Sequence, residues 1–277
     1  MKARLAWLLT LLCCGSAVAD KAPVVWQEPA TGMRFVALPK GCFQMGTPEV
    51  VRPKEHFIWD HLGFKEDLAA DEKPQHEACV DAFWIGQHEV RADEWLKVMG
   101  QPPASGTGAT PASGVTWHEA LAFAQRLTAL SGGANTFRLP TEAEWEYACR
   151  AGASHEPVTH KRKKIEGAWY NAWSGEYGYP ALQPNDTGKL PANPWGLHDM
   201  LGNVWEWTQD GYRADAYARH ALFNPAVAAE ASVARVIRGG SHRSEYLQVR
   251  CSARGHQPAG DALPQIGLRL VRVAKGR

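Results

Sequence analysis

Between Ala153 and Pro194 the chain shows neither a helical nor a strand period, and this long aperiodic stretch constrains the fold more than any other feature. Backbone ladders cannot hold such a segment, so side chains must. Disulfides, aromatic plugs and bound cations are the usual means, and the composition offers the first two in 6 cysteines and 12 tryptophans. With 26 glycines and 18 prolines the chain is expected to be rich in turns.

The amino terminus reads as an export signal over residues 1–19. Lys2 and Arg4 precede an apolar stretch from Leu5 to Cys14, too short for a spanning helix of about 20 residues. Ala17-Val18-Ala19 then forms a small-x-small cleavage site, so the mature chain is expected to begin at Asp20. A lipid-anchored reading through Cys13 or Cys14 is disfavoured, because Cys13 follows Leu12 rather than a small residue. No later apolar run is long enough to cross a bilayer, so no membrane association is expected once the signal is removed.

Removing Cys13 and Cys14 from the 6 cysteines leaves Cys42, Cys79, Cys149 and Cys251. An even number in an exported chain favours disulfides, and no two of the four stand at zinc-finger spacing. Three pairings are open to four cysteines, and counting does not choose among them. Charge is balanced, 30 Lys and Arg against 29 Asp and Glu, which excludes the broad positive field of a nucleic-acid binder. The Lys161-Arg162-Lys163-Lys164 run reads as a solvated loop.

Three helices are predicted. One covers Arg91 to Met99, after the extended stretch Ala82-Phe83-Trp84-Ile85. A second opens on the capping box Thr116-Trp117-His118-Glu119 and carries Ala120, Phe123, Ala124 and Leu127 on one face. A third opens on the box Thr141-Glu142-Ala143-Glu144 and ends near Gly152. Strands are predicted at Arg34–Leu38, Val233–Arg238 and Ile266–Val273.

Four ordered segments then share a pattern. They are Phe35 to Thr47, Phe137 to Ala148, Trp195-Gly196-Leu197-His198-Asp199-Met200-Leu201-Gly202-Asn203-Val204-Trp205-Glu206-Trp207, and Arg238-Gly239-Gly240-Ser241. Together they resemble the formylglycine-generating-enzyme, or sulfatase-modifying-factor, family over nearly all of residues 20–277. The resemblance implies an α+β fold related to C-type lectins, loop-rich and with little regular secondary structure. It implies a disulfide between Cys149 and Cys251, which leaves Cys42 and Cys79 to each other. A bridge closing a loop of about 100 residues stabilises by about 4–5 kcal/mol in the chain-entropy account.

The family wraps a structural calcium ion in the stretch matching Asp199 to Glu206. Carried over, Asp199 and Glu206 supply carboxylates, and Gly202 and Val204 supply backbone carbonyls. Calcium accepts six to eight such hard oxygens at variable geometry. A second family calcium site would begin at Asn171 and Ala172, but its later carboxylate has no match here.

Authentic members oxidise a sulfatase cysteine with copper held by two thiolates, the soft ligands that Cu(I) prefers. Here the stretch after Arg-Gly-Gly-Ser reads His242-Arg243-Ser244-Glu245-Tyr246-Leu247-Gln248-Val249-Arg250-Cys251. Its one cysteine matches the structural disulfide, Tyr246 stands in the place of one copper ligand, and the other falls in a deletion. Copper is therefore not expected. What remains is a polar rim of Ser241, His242, Arg243, Ser244, Glu245 and Tyr246, with His242 a candidate base and Tyr246 a candidate acid.

Two classes of function follow. One is a periplasmic or secreted maturation or tailoring enzyme of altered chemistry, acting on a small molecule, a peptide or a protein through Ser241–Tyr246. The other is a non-catalytic, lectin-like module that binds a protein, peptide or glycan, since fold alone does not assign function. A true formylglycine-generating oxidase is the third and least supported reading.

Overall fold

A computed structural model describes residues 22–48, 69–153, 165, 167–171 and 183–274. The export signal, the Lys161–Lys164 run, His56, His61 and the second calcium stretch from Ala172 onward lie outside the described residues.

Among the described residues, two sheets and three helices form the frame. The first sheet contains β1 (Val25–Gln27), β2 (Arg34–Leu38), β5 (Phe83–Gly86), β11 (Val271–Ala274) and β6 (Asn135–Arg138), in that spatial order and all antiparallel. The second orders β10 (Ile266–Leu268), β7 (Trp205–Gly211), β8 (Ala234–Arg238) and β9 (Arg254–Pro258), with β10 parallel to β7. A separate antiparallel pair joins β3 (Gly41–Met45) to β4 (His76–Val80). Its register sets Cys42 opposite Cys79, and the two form a disulfide.

All three predicted helices form. α1 (Ala92–Met99) buries Trp95 and Val98, and Trp95 stacks on Phe123 of α2 (Trp117–Leu130) with ring centroids 5.1 Å apart. The capping boxes are both closed: Thr116 Oγ1 accepts from the Glu119 amide at 3.1 Å, and Thr141 Oγ1 from the Glu144 amide at 3.2 Å. α2 buries Ala120, Phe123, Ala124 and Leu127, the face its periodicity predicts.

α3 (Glu142–Arg150) departs from an amphipathic pattern, for every one of its residues is buried although it carries Glu142, Glu144, Glu146 and Arg150. A buried carboxylate is tolerated only when paired and hydrogen-bonded. Arg238, at the end of β8, meets Glu142 at 2.9 Å and Glu146 at 2.6 Å. Arg254, at the start of β9, meets Glu142 at 2.7 Å, and Arg150 meets Glu146 at 2.7 Å. Burial alone would raise the Glu142 carboxyl, but Arg254 and Arg238 outweigh it and hold it below its ordinary range. The disulfide Cys149–Cys251 ties the same helix to the segment that leads into β9.

The predicted strand Ile266–Val273 divides in two. Ile266–Leu268 pairs with β7 in one sheet and Val271–Ala274 pairs with β5 and β6 in the other, so this short segment stitches the sheets together. Ile266, Leu268, Leu270 and Val271 of this apolar run are buried, each half under a different neighbour, whereas Val273 is exposed. The crossing is Arg269, whose side chain is fully buried.

Candidate functional site

The loop that follows β8 begins with Gly239 at φ 97°, a backbone region L side chains rarely adopt. A Cβ there would also stand 3.0 Å from the Trp145 ring and 3.1 Å from the Met200 carbonyl. This explains why Arg-Gly-Gly-Ser leads into the rim: the chain must turn tightly over the α3 tryptophan.

The structure treats the rim residues unequally. Ser241, His242 and Ser244 are buried, whereas Arg243 and Glu245 are exposed. The Ser241 amide donates to Ser244 Oγ at 3.0 Å, the Arg243 amide donates to Ser241 Oγ at 3.2 Å, and the two hydroxyls lie 3.4 Å apart. These serines are spent on holding the turn. His242 Nδ1 lies 2.8 Å from the Asn203 carbonyl, to which only a protonated Nδ1 can donate. That contact fixes the tautomer and leaves the lone pair on Nε2. Burial first, then the Arg243 charge, lowers the His242 pKa against the opposing Asn203 bond, so the ring is neutral near pH 7. Tyr246 is half-buried and packs against the clusters around Ala69–Leu247 and Ile165–Val249.

The 199–206 loop lies beneath the rim, joined to it through Asn203, whose carbonyl also accepts the His242 amide at 2.8 Å. Asp199 takes φ 55°, and Gly202 takes φ 85°. A Cβ at Gly202 would fall 2.0 Å from the Trp169 carbonyl oxygen, so only glycine fits that crossing. Asp199 Oδ2 accepts from the Gly188 amide at 2.6 Å, while Oδ1 is buried and has no hydrogen-bond partner among the described residues. Burial pushes the Asp199 carboxyl up from its ordinary value. Glu206 is held by Arg269 at 2.8 Å and by the Trp145 indole at 2.7 Å.

Sequence reading missed Glu89. This fully buried carboxylate accepts from Asn203 Nδ2 at 2.8 Å and from the Val204 amide at 3.2 Å, and so braces the loop from β5's side. Burial, then the charges of Asp199 and Glu206, push its carboxyl well above the usual range. Nothing local in His88-Glu89-Val90 signals this role. Asn171 Oδ1 is also buried without a partner among the described residues, beside the rim, since the Asn171 backbone amide donates to the Ser244 carbonyl at 2.9 Å.

The donors around this loop suit a hard divalent cation. Asp199 presents an unpaired buried oxygen, and three carboxylates (Glu89, Asp199 and Glu206) are set against the single guanidinium of Arg269. Among the described residues no group of three or more His, Cys, Asp or Glu side chains is arranged to hold a metal, so such an ion would draw on backbone carbonyls as well.

The chain belongs to the family of the sulfatase-modifying factor enzyme 1-like domain, which matches residues 21–274. It is 36% identical to the formylglycine-generating enzyme of Mycobacterium tuberculosis over 48% of this chain and 50% of that one. It is 32% identical to the bovine formylglycine-generating enzyme over 88% of this chain and 76% of that one. The fold is similar to that of PvdO from Pseudomonas aeruginosa, with a TM-score of 0.74 at 24% identity, covering 92% of this chain and 99% of that one.

Proposed function

We propose that this chain is a formylglycine-generating-enzyme-family protein that works outside the cytoplasm without the copper chemistry of its relatives, as a maturation or tailoring protein acting through the Ser241–Tyr246 loop. One observation carries the reading: Cys42 pairs with Cys79 and Cys149 with Cys251, so among the described residues every cysteine is bridged. Oxidised sulfur offers Cu(I) no thiolate. The bridges also suit the oxidising compartment to which an export signal over residues 1–19 would deliver the chain.

In this reading His242 is the base. Its Nδ1–H is committed to Asn203, its Nε2 is the open acceptor, and its neutral state near pH 7 leaves it able to take a proton from a bound substrate. Tyr246 supplies the nearby phenol, and the exposed Arg243 stands at the entrance. A calcium ion held by Asp199 and the carbonyls of Gly202 and Val204, with Glu206 contributing while it stays bound to Arg269, would supply rigidity to the loop under His242.

A second reading is a binding module for a protein, peptide or glycan. It is favoured by the engagement of Ser241 and Ser244 in the turn, which leaves Arg243 and Glu245 as the exposed groups.

The test uses protein purified from the periplasm or culture medium, with bound metals quantified and a sulfatase-derived cysteine peptide offered as substrate. No copper and no aldehyde product are expected. One equivalent of copper, or an aldehyde at the peptide cysteine, overturns the proposal. His242→Ala and Tyr246→Phe then separate the two readings: loss of phenotype with an unchanged melting curve points to chemistry, whereas loss in Arg243→Ala alone points to a binding surface.

A further inference from the structure

His76 and His220 are 144 residues apart in sequence, yet their rings meet: His76 Nε2 lies 3.1 Å from His220 Nδ1. Neither reading above uses this pair. His76 opens β4, and His220 follows a short 3-10 turn over Ala216–Ala218. Backbone bonds fix the two segments to each other, for the Cys79 amide donates to the Leu222 carbonyl and the Asn224 amide to the Cys79 carbonyl, both at 2.7 Å. The rings are fixed as well. Both lean on the buried Tyr217, whose ring centroid is 5.0 Å from that of His76 and 5.2 Å from that of His220. Both histidines are half-buried, so the fold holds the pair within reach of solvent.

The hydrogen bonds place the protons. His76 Nδ1 lies 3.0 Å from the Pro74 carbonyl, to which only a protonated nitrogen can donate. In the neutral ring its Nε2 is then a bare acceptor, and His220 Nδ1 donates to it. His220 Nε2 is left buried with no hydrogen-bond partner among the described residues. Moving the His220 proton from Nδ1 to Nε2 therefore gives up only the contact between the rings. It turns both facing nitrogens into lone pairs across one gap.

That geometry is close to a chelate. Zinc binds imidazole nitrogen at about 2.0–2.1 Å, so two such ligands at the tetrahedral angle stand about 3.3 Å apart. The rings, at 3.1 Å, need only a small opening to admit the ion. The Pro74 carbonyl supplies the outer bond that orients a ligating histidine. Besides His76, the charged groups that act on His220 are Glu142 and Glu146 against Arg254, so a cation meets no excess of positive charge. We propose that His76 Nε2 and His220 Nδ1 form a two-histidine site for a divalent zinc-like ion, with the remaining positions open to water. Imidazole suits such an ion, whereas calcium takes hard oxygens, so this site is chemically distinct from the 199–206 loop. Among the described residues no third His, Cys, Asp or Glu side chain completes the set. The bound ion would clamp β4 to the segment after the 3-10 turn, and it does not depend on the rim being catalytic.

The test titrates the untagged mature chain with zinc chloride by calorimetry, in calcium sufficient to saturate the 199–206 loop. One equivalent should bind, and His76→Ala and His220→Ala should each weaken it at least about tenfold. A second readout needs no variant: zinc should shift the ring-proton resonances of His76 and His220 together in the wild-type chain, the two rings being assigned through their contacts with Tyr217. Wild-type affinity in both variants, a shift of one ring alone, or no binding at about 100 µM zinc overturns the site. Loss of affinity in only one variant also overturns it, since that outcome describes a single-histidine contact. Any copper that the pair captures is lost in His220→Ala, which tells it apart from copper held by thiolates.

Discussion

Arg269 and Glu206 meet where the two sheets cross, with Nη2 2.8 Å from Oε1 and both side chains withdrawn from solvent. The same guanidinium donates to the Gly86 carbonyl at 2.9 Å and to the His198 carbonyl at 2.8 Å. One side chain thus binds β7, the end of β5 and the entrance to the 199–206 loop. The short crossover between Leu268 and Val271 exists to place it.

Replacing Arg269 by Met should be among the most damaging single changes. It leaves Glu206 buried without its cation, beside Asp199 and Glu89. Breaking a buried pair from one side costs about 3–5 kcal/mol. Urea unfolding should show a loss of that size, and Glu206→Gln in the same background should recover part of it. A variant within about 1 kcal/mol of wild type would show that Arg269 is not the clamp.

Calcium should raise the melting temperature, and a chelator should lower it, if the 199–206 loop holds the ion as proposed. Ligand at a hundredfold excess over its Kd stabilises by about 2.7 kcal/mol. Asp199→Ala should abolish the calcium-dependent increment while leaving a folded protein. An increment of the same size in that variant would remove Asp199 from the ligand set.

Gly202→Ala should destabilise by more than about 1 kcal/mol, because the new methyl meets a φ of 85° and a backbone oxygen 2.0 Å away. The lesion should appear in hydrogen exchange at the Gly202 and Asn203 amides, which bond to the Gly239 and Trp169 carbonyls at 2.8 Å.

Acid should weaken the fold above the range in which carboxylates titrate. His88 is half-buried, and its pKa is lowered from 6.5 to about 4, by desolvation first. Its unfolded form therefore binds a proton that the folded form refuses between those values. Stability from this group is complete above pH 6.5 and falls as pH drops toward 4, at up to about 1.4 kcal/mol per pH unit. His88→Asn keeps a donor for the Glu89 carbonyl and should flatten that slope. An unchanged slope would assign the acid sensitivity elsewhere.

Local features were legible in the sequence wherever a few neighbouring residues carry the whole physical reason. Thr116 with Glu119 and Thr141 with Glu144 satisfy each other's amides within one turn, so both helix starts could be read directly. The Arg-Gly-Gly-Ser and Asp199–Glu206 segments were legible through family resemblance, and the tight backbone at Gly202 and Gly239 shows why glycine stands there. The wholly buried α3 was not legible. Its glutamates are acceptable only because Arg238 and Arg254 arrive from strands far along the chain. The rim was misjudged in one respect, since residues contiguous in sequence divide between buried turn-holders and exposed groups.

The amino-acid sequence by itself determined the family, the helix starts, the turn glycines and the identity of the cysteines available for bridging, because each is set by residue chemistry at short range or by an ordered pattern. Only the tertiary structure decided that Ile266–Val273 serves two sheets, that Glu89 braces the 199–206 loop, and that His76 and His220 face each other. The reason is common to all three. A side chain's charge, exposure and partners depend on which distant segment folds against it, and no local period records that choice.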